Sequence, residues 1–137
     1  MRRVILVGGP RTGKSTIARK LREDGIPTFC TDPLSKVKDP EQDVRYFPED
    51  LKWEAQALFI AQNWLTLPAP WCCEGVQMAR AVRKLHQLGK AELLKGVEIH
   101  YLTYPFSPRT AGQIALAKAI ETVWQECLIM MQWSVPS

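Results

Sequence analysis

One stretch near the amino terminus limits what this chain can fold into: Val4-Ile5-Leu6-Val7-Gly8-Gly9-Pro10-Arg11-Thr12-Gly13-Lys14-Ser15-Thr16. A short, wholly apolar run of this kind reads as a strand, and a helical pattern opens at Thr16. Between them stands Gly-x-x-x-x-Gly-Lys-Ser, the spacing of a Walker A loop. The residue types have chemical reasons. Gly8 and Gly13 permit backbone angles that a Cβ opposes, so successive N–H groups can turn toward phosphate oxygens. Gly9, Arg11, Thr12 and Thr16 complete the cradle, and the new helix aims its positive dipole end at the same anion. Lys14 can reach the β- and γ-phosphates, and the Ser15 hydroxyl can ligate Mg²⁺. At ordinary residue frequencies the pattern arises by chance in about one chain of this length in a few hundred.

The 137 residues are the size of one domain, here residues 1–137. No run approaches the roughly 18 apolar residues of a membrane span, and the basic Met1-Arg2-Arg3 leads into a strand rather than a signal peptide. Cys30, Cys72, Cys73 and Cys127 lack the Cys-x-x-Cys spacing of a zinc site and read as buried thiols in a reducing cytoplasm. The net charge is +4. Residues 1–24 hold seven Lys/Arg against two acids, and residues 75–118 again seven against two. Two basic segments converging on anionic ligands explain this distribution; a solvated, mildly basic surface is the plainer alternative.

Along the chain, residues 16–24 form a helix with Ile17, Ala18 and Leu21 inward and Gly25 as its stop. Residues 26–31 read as a second parallel strand with Asp32 at its carboxyl end, the edge where open α/β sheets collect ligands. Asp32 can orient or deprotonate an acceptor hydroxyl there, or simply start an Asp-Pro turn or cap a helix. Residues 35–48 are polar and read as an excursion over the site. Pro48-Glu49-Asp50 then opens a largely buried helix, with apolar stripes Leu51, Ala55, Leu58, Ala61, Leu65 and Trp53, Ala57, Ile60, Trp64.

Trp71-Cys72-Cys73-Glu74-Gly75 is a short strand ending in an acid, the shape of a Walker B element. In that role Glu74 holds Mg²⁺ through water or polarises the nucleophile; otherwise it is an acid at a strand-to-helix turn. Residues 78–88 form a helix with Met78, Val82 and Leu85 inward and Arg80, Arg83 and Lys84 outward. Arg80 and Arg83 are candidates for an anionic acceptor or the transferring phosphoryl group. Residues 97–103 are a fourth strand. Ser107-Pro108 then reads as N-cap and first turn of a last helix reaching about Gln132, with Leu116, Ile120, Val123, Cys127 and Met131 in register. Arg109 stands where a lid arginine reaches over the phosphates, with Gln113 and Lys118 one and two turns on. The run 127–131 is apolar enough to pack on the sheet or on a second subunit.

With strand, P-loop and helix in that order, a strand ending in Thr31-Asp32, and Glu74-Gly75 after a third strand, the chain resembles small P-loop kinases. The likeness is to the adenylate-kinase-like and polynucleotide-kinase-like branch and covers most of the chain. In polynucleotide, gluconate and shikimate kinases an Asp at the end of the second strand lies by the acceptor hydroxyl, so the resemblance implies that role for Asp32. Glu74-Gly75 is similar to the Asp-Gly after the third strand of nucleoside monophosphate kinases. The chain departs from the pattern at three points. The Pro-Arg following that Asp-Gly in adenylate kinases is absent, the lid is reduced to a few residues around Arg109, and no fifth strand follows the last helix. Such compactness resembles phage-encoded kinases, including those acting on hydroxymethylated bases in DNA.

The resemblance implies a three-layer α/β P-loop NTPase fold, with a parallel sheet of about four to five strands and helices on both faces. It implies transfer of the γ-phosphoryl group of ATP, with Mg²⁺, to a hydroxyl or phosphate of a nucleoside, nucleotide or nucleic acid. Lys14, Ser15 and Glu74 would offset charge around the metal, Asp32 would serve the acceptor, and Arg80, Arg83 and Arg109 would complete an arginine cage. Two other classes compete: a nucleotide-dependent ATPase or switch without a small acceptor, and a nucleic-acid-binding module that merely retains nucleotide.

Overall fold

Successive side chains of a strand point to opposite faces, and β1 (Arg3–Gly8) divides its residues accordingly. Val4 and Leu6 join Ala18, Leu21, Ile26 and Cys72 on one face; Ile5 and Val7 join a larger cluster with Phe29, Trp64, Trp71 and Leu85 on the other. Both faces are covered, as the unbroken apolar run requires. The computed structural model describes residues 1–9, 12–31, 44–45, 51–103, 105 and 108–134.

After β1 the chain runs through α1 (Lys14–Glu23), β2 (Thr28–Cys30), β3 (Val44–Arg45), α2 (Trp53–Phe59) with a π-helical continuation (Ile60–Trp64), β4 (Trp71–Glu74), α3 (Met78–Gln87), a 3₁₀ turn (Ala91–Leu94), β5 (Glu98–Leu102) and α4 (Ala111–Ser134). The strands form one sheet in the order β3-β2-β4-β1-β5, and every neighbouring pair is parallel. Crossovers between parallel strands are right-handed, so the direction of travel decides which face a helix covers. From β1 to β2 the chain moves one way across the sheet, over α1. From β3 to β4, and again from β4 to β5, it moves the other way, over α2 and α3. α1 accordingly packs on one face, while α2, its π-helical end, α3 and α4 build the larger core on the other.

The structure corrects three local expectations. β3, two residues long, pairs with β2 inside the stretch read as a polar excursion. α2 starts at Trp53 after an extended Lys52 (φ −66°, ψ 151°), not at Pro48-Glu49-Asp50, which lies outside the described residues. Its end widens through an i→i+5 bond from Leu65 N–H to the Ile60 carbonyl (3.0 Å), burying Ile60, Ala61, Trp64 and Leu65 together while Ala55 is exposed. In the run 127–131, Cys127 and Met131 meet the core, and Leu128 and Ile129 are exposed. Among the described residues no helix is long and apolar enough to cross a membrane.

The basic amino terminus has a structural use. Arg2 binds Glu98 through two hydrogen bonds (2.8 and 3.0 Å), and Arg3 donates to the carbonyls of Leu93 and Lys95. Both arginines stand at the start of β1, at the edge opposite its carboxyl end. They tie β1 to β5 and the 3₁₀ turn rather than converging on the candidate loop.

Candidate phosphate-binding site

β1 and β4 are neighbours, with Leu6 opposite Glu74. The chain leaves β1 toward α1 on one face and leaves β4 toward α3 on the other. Where adjacent parallel strands send their connections to opposite faces, a crevice opens beyond their carboxyl ends, and open α/β sheets bind ligands there. The candidate loop and Glu74 flank that crevice.

On the β1 side the backbone is closely packed. A Cβ on Gly8 would lie 2.7 Å from the Leu102 carbonyl oxygen and 2.9 Å from Thr12 Oγ1; one on Gly9 would lie 2.7 Å from Ala117 Cβ. The loop is thus wedged between the end of β5 and α4. Gly13 adopts the left-handed region (φ +88°), which a side chain resists. α1 then begins without a side-chain cap, so its first N–H groups stay directed to the carboxyl edge. Thr12 Oγ1 (2.9 Å) and Lys14 Nζ (2.7 Å) both donate to the Gly9 carbonyl. Lys14 is only 4 % exposed. Burying an ammonium is costly unless its surroundings are polar, and the loop supplies them.

Across the crevice Glu74, also 4 % exposed, ends β4. The turn after it depends on Gly75 (φ +129°), whose Cβ would collide with Thr31 Oγ1. Thr31 N–H donates to the Glu74 carbonyl (2.9 Å), and Gln77 N–H donates to Thr31 Oγ1 (3.2 Å). Gln77 Nε2 reaches Gln56 Oε1 (3.2 Å), and Gln56 Nε2 donates to the Leu51 carbonyl (3.2 Å). Five polar or charged residues are buried among those described: Lys14, Thr28, Thr31, Glu74 and Gln77. Four of them stand at this carboxyl edge, where an interior would otherwise be apolar.

Arg109 reaches the loop from the start of α4: its Nη2 would be 3.2 Å from a Cβ on Gly9. A reciprocal pair sets its place. Thr110 N–H donates to Gln113 Oε1 (2.9 Å), and Gln113 N–H donates to Thr110 Oγ1 (3.2 Å), a capping box. The cap is therefore Thr110 and not Ser107, which lies outside the described residues, and Gln113 serves the helix rather than the loop.

The structure brings Gly8, Gly9, Thr12, Gly13, Lys14 and Arg109 together and sets Glu74 one strand away. Thr16 is exposed in the first turn of α1; Ser15 precedes it there, its side chain outside the description, as are Arg11 and Asp32 altogether. Arg80 is half-buried in the first turn of α3. Arg83 is held in an ion pair with Glu126 of α4 at 3.0 Å, a partner that sequence spacing did not disclose. Sequence reading also passed over Thr31, Gln77 and Gln56. The available signal was position: Gln77 stands three residues after the strand-ending acid, at the first N–H groups of a helix.

Burial pushes the Cys72 thiol up to about 12, with the Glu74 charge adding to it, and raises Cys73 in the same way. Both stay neutral beside the site. Among the described residues no three His, Cys, Asp or Glu side chains gather as a metal cage. Comparison with models of protein families, with curated proteins and with solved structures gives no match.

Proposed function

We propose that the chain is a P-loop kinase that binds ATP in the crevice between β1 and β4. It moves the γ-phosphoryl group to a hydroxyl or phosphate of a nucleoside, nucleotide or nucleic acid. The observation that supports this best is the placement of two buried opposite charges at the topological switch point, Lys14 opening α1 after β1 and Glu74 ending the adjacent strand β4. Phosphoryl transfer asks little covalent chemistry of a protein; positioning and charge neutralisation supply the rate. Lys14 carries three donors, one of them on Gly9, at the mouth of an uncapped helix terminus. Arg109 lies across the same loop and offsets charge on the outer phosphates.

Mg²⁺ suits the donor set. A carboxylate and a hydroxyl are hard oxygen ligands, and this ion takes most of its remaining shell from phosphates and water, so a protein cage is not required. Glu74 and Ser15 are the residues that would hold it, and the ion when bound would polarise the phosphoryl oxygens. Asp32, directly after Thr31, is assigned to the acceptor hydroxyl by resemblance. The resemblance to compact phage-encoded kinases is what brings hydroxymethylated DNA in as a candidate acceptor, and the four buried thiols suit a reducing cytoplasm.

A transfer screen with γ-labelled ATP across nucleosides, monophosphates, and plain and hydroxymethylated DNA tests the proposal. Label should appear in one acceptor class and be lost in Glu74→Gln, and Asp32→Asn should lower kcat by about 10² or more while ATP still binds. Release of label as free phosphate regardless of acceptor would favour an ATPase or switch. DNA affinity that is high without ATP and falls steeply with salt would favour a nucleic-acid-binding module.

A further inference from the structure

The amino terminus of α3 receives no side-chain cap from its own turn. The acceptor comes instead from the residue that follows β2, 46 positions earlier: Gln77 N–H donates to Thr31 Oγ1. The same threonine binds the turn at its other end, through Thr31 N–H and the Glu74 carbonyl. In the middle, Gly75 is pressed so closely on Thr31 Oγ1 that no Cβ fits. One residue, 1 % exposed, thus holds the turn after Glu74 at its beginning, middle and end.

We propose that Thr31 is a positioning residue for the Glu74 carboxylate and, through it, for the divalent cation that accompanies the nucleotide. This rests on the nucleotide-binding reading above. Glu74 is too buried to find its ligand by swinging through solvent, so the backbone at residues 74 and 75 sets where its oxygens lie. The Thr31 hydroxyl governs that backbone twice, as acceptor for Gln77 N–H and as a steric stop against Gly75. Exchanging the oxygen for a methyl leaves a buried N–H without its acceptor. The turn relieves this by moving away from β2 and carries Glu74 with it. Gln77 extends the clasp to α2 through Gln56, so the metal side of the crevice and the β2–α2 flank share one polar anchor. Outer-shell partners of metal ligands typically change affinity or activity by about 10–100-fold when removed.

The test compares the full wild-type chain with Thr31→Val, Thr31→Ser and Glu74→Gln. Tryptophan fluorescence follows titration with the imido analogue of ATP, once with Mg²⁺ and once with a chelator. The readout is the ratio of the two affinities. Mg²⁺ should tighten binding to the wild type; Thr31→Val should lose most of that gain, as Glu74→Gln does, and Thr31→Ser should keep it within about twofold. Affinity without metal should not change in the two Thr31 variants. A second readout needs no ligand: exchange of the Gln77 amide hydrogen should quicken in Thr31→Val and not in Thr31→Ser. Should Thr31→Val not fold, Thr31→Cys is read the same way. A full Mg²⁺ gain in Thr31→Val overturns the inference and leaves nucleotide binding standing. Loss of the gain in Thr31→Ser also overturns it, by assigning the effect to packing of the methyl. No nucleotide binding by the wild type overturns the functional reading, and the inference with it.

Discussion

Gly9 is where the candidate phosphate loop meets the last helix, and alanine at that position probes the junction. The Gly9 backbone is not in the left-handed region, so the substitution brings no conformational strain and its cost is steric. The new Cβ would stand 2.7 Å from Ala117 Cβ and 3.1 Å from Ala117 Cα, where carbon atoms prefer about 3.5–4.0 Å. One side must retreat by about 1 Å. α4 is backed there by the buried Ile120, Val123, Trp124 and Cys127 and cannot slide away without opening the core. Overpacking of this kind costs about 1–3 kcal/mol, a fall in Tm of about 3–10 °C for a chain of this size. Ala117→Gly removes one of the two crowded atoms at a cost of about 1 kcal/mol for glycine in a helix. The double variant should therefore be less destabilised than the two singles added, with a coupling of about 1 kcal/mol. Urea unfolding followed by the fluorescence of the five tryptophans measures all four proteins. Additivity within about 0.5 kcal/mol would refute the contact between loop and helix.

Three further outcomes are expected. Thr110→Ala should cost about 1 kcal/mol through loss of the α4 cap, and Gln113→Ala added to it should cost little more, because both belong to one reciprocal pair; equal, additive losses in urea midpoints would argue against the box. Burial lowers the His86 pKa below its ordinary value of 6.5, so the unfolded chain binds the proton more readily; stability should fall as pH drops from 6.5 toward the folded-state pKa. Urea midpoints between pH 5.5 and 7.5 should show this slope in the wild type and a flatter one in His86→Asn, and an unchanged slope in the variant would clear His86. The four cysteines are buried, with Cys72 and Cys127 pushed up to about 12 and about 11; a thiol reagent at pH 8 should label none in the native protein and all four in denaturant, and prompt labelling of the folded chain would contradict their burial.

Elements whose signals lie within one short stretch were legible. The apolar run Val4 to Val7 and the glycines after it define strand, loop and helix within 16 residues, and α3 follows from the spacing of Met78, Val82 and Leu85. Where two local signals competed, the sequence could not arbitrate. Ser107 and Thr110 are both good caps, and Thr110 prevails because Gln113 returns its hydrogen bond. Pro48-Glu49-Asp50 carries a helix-start signal, yet α2 opens only after Lys52. β3 spans two residues, too few for any periodicity to reveal.

The sequence by itself determined the chemistry of the loop: its glycines, its lysine and the helix behind it are neighbours along the chain, and their bonds reach only a few residues. It also marked Glu74 as an acid ending a buried strand. Only the tertiary structure decided that β4 lies against β1, that Arg109, 100 residues on and just ahead of α4, returns to Gly9, and that Thr31 caps α3. These adjacencies follow from which face each crossover covers and which apolar sides must be buried together. That balance is struck over the whole sheet, and no single segment encodes it.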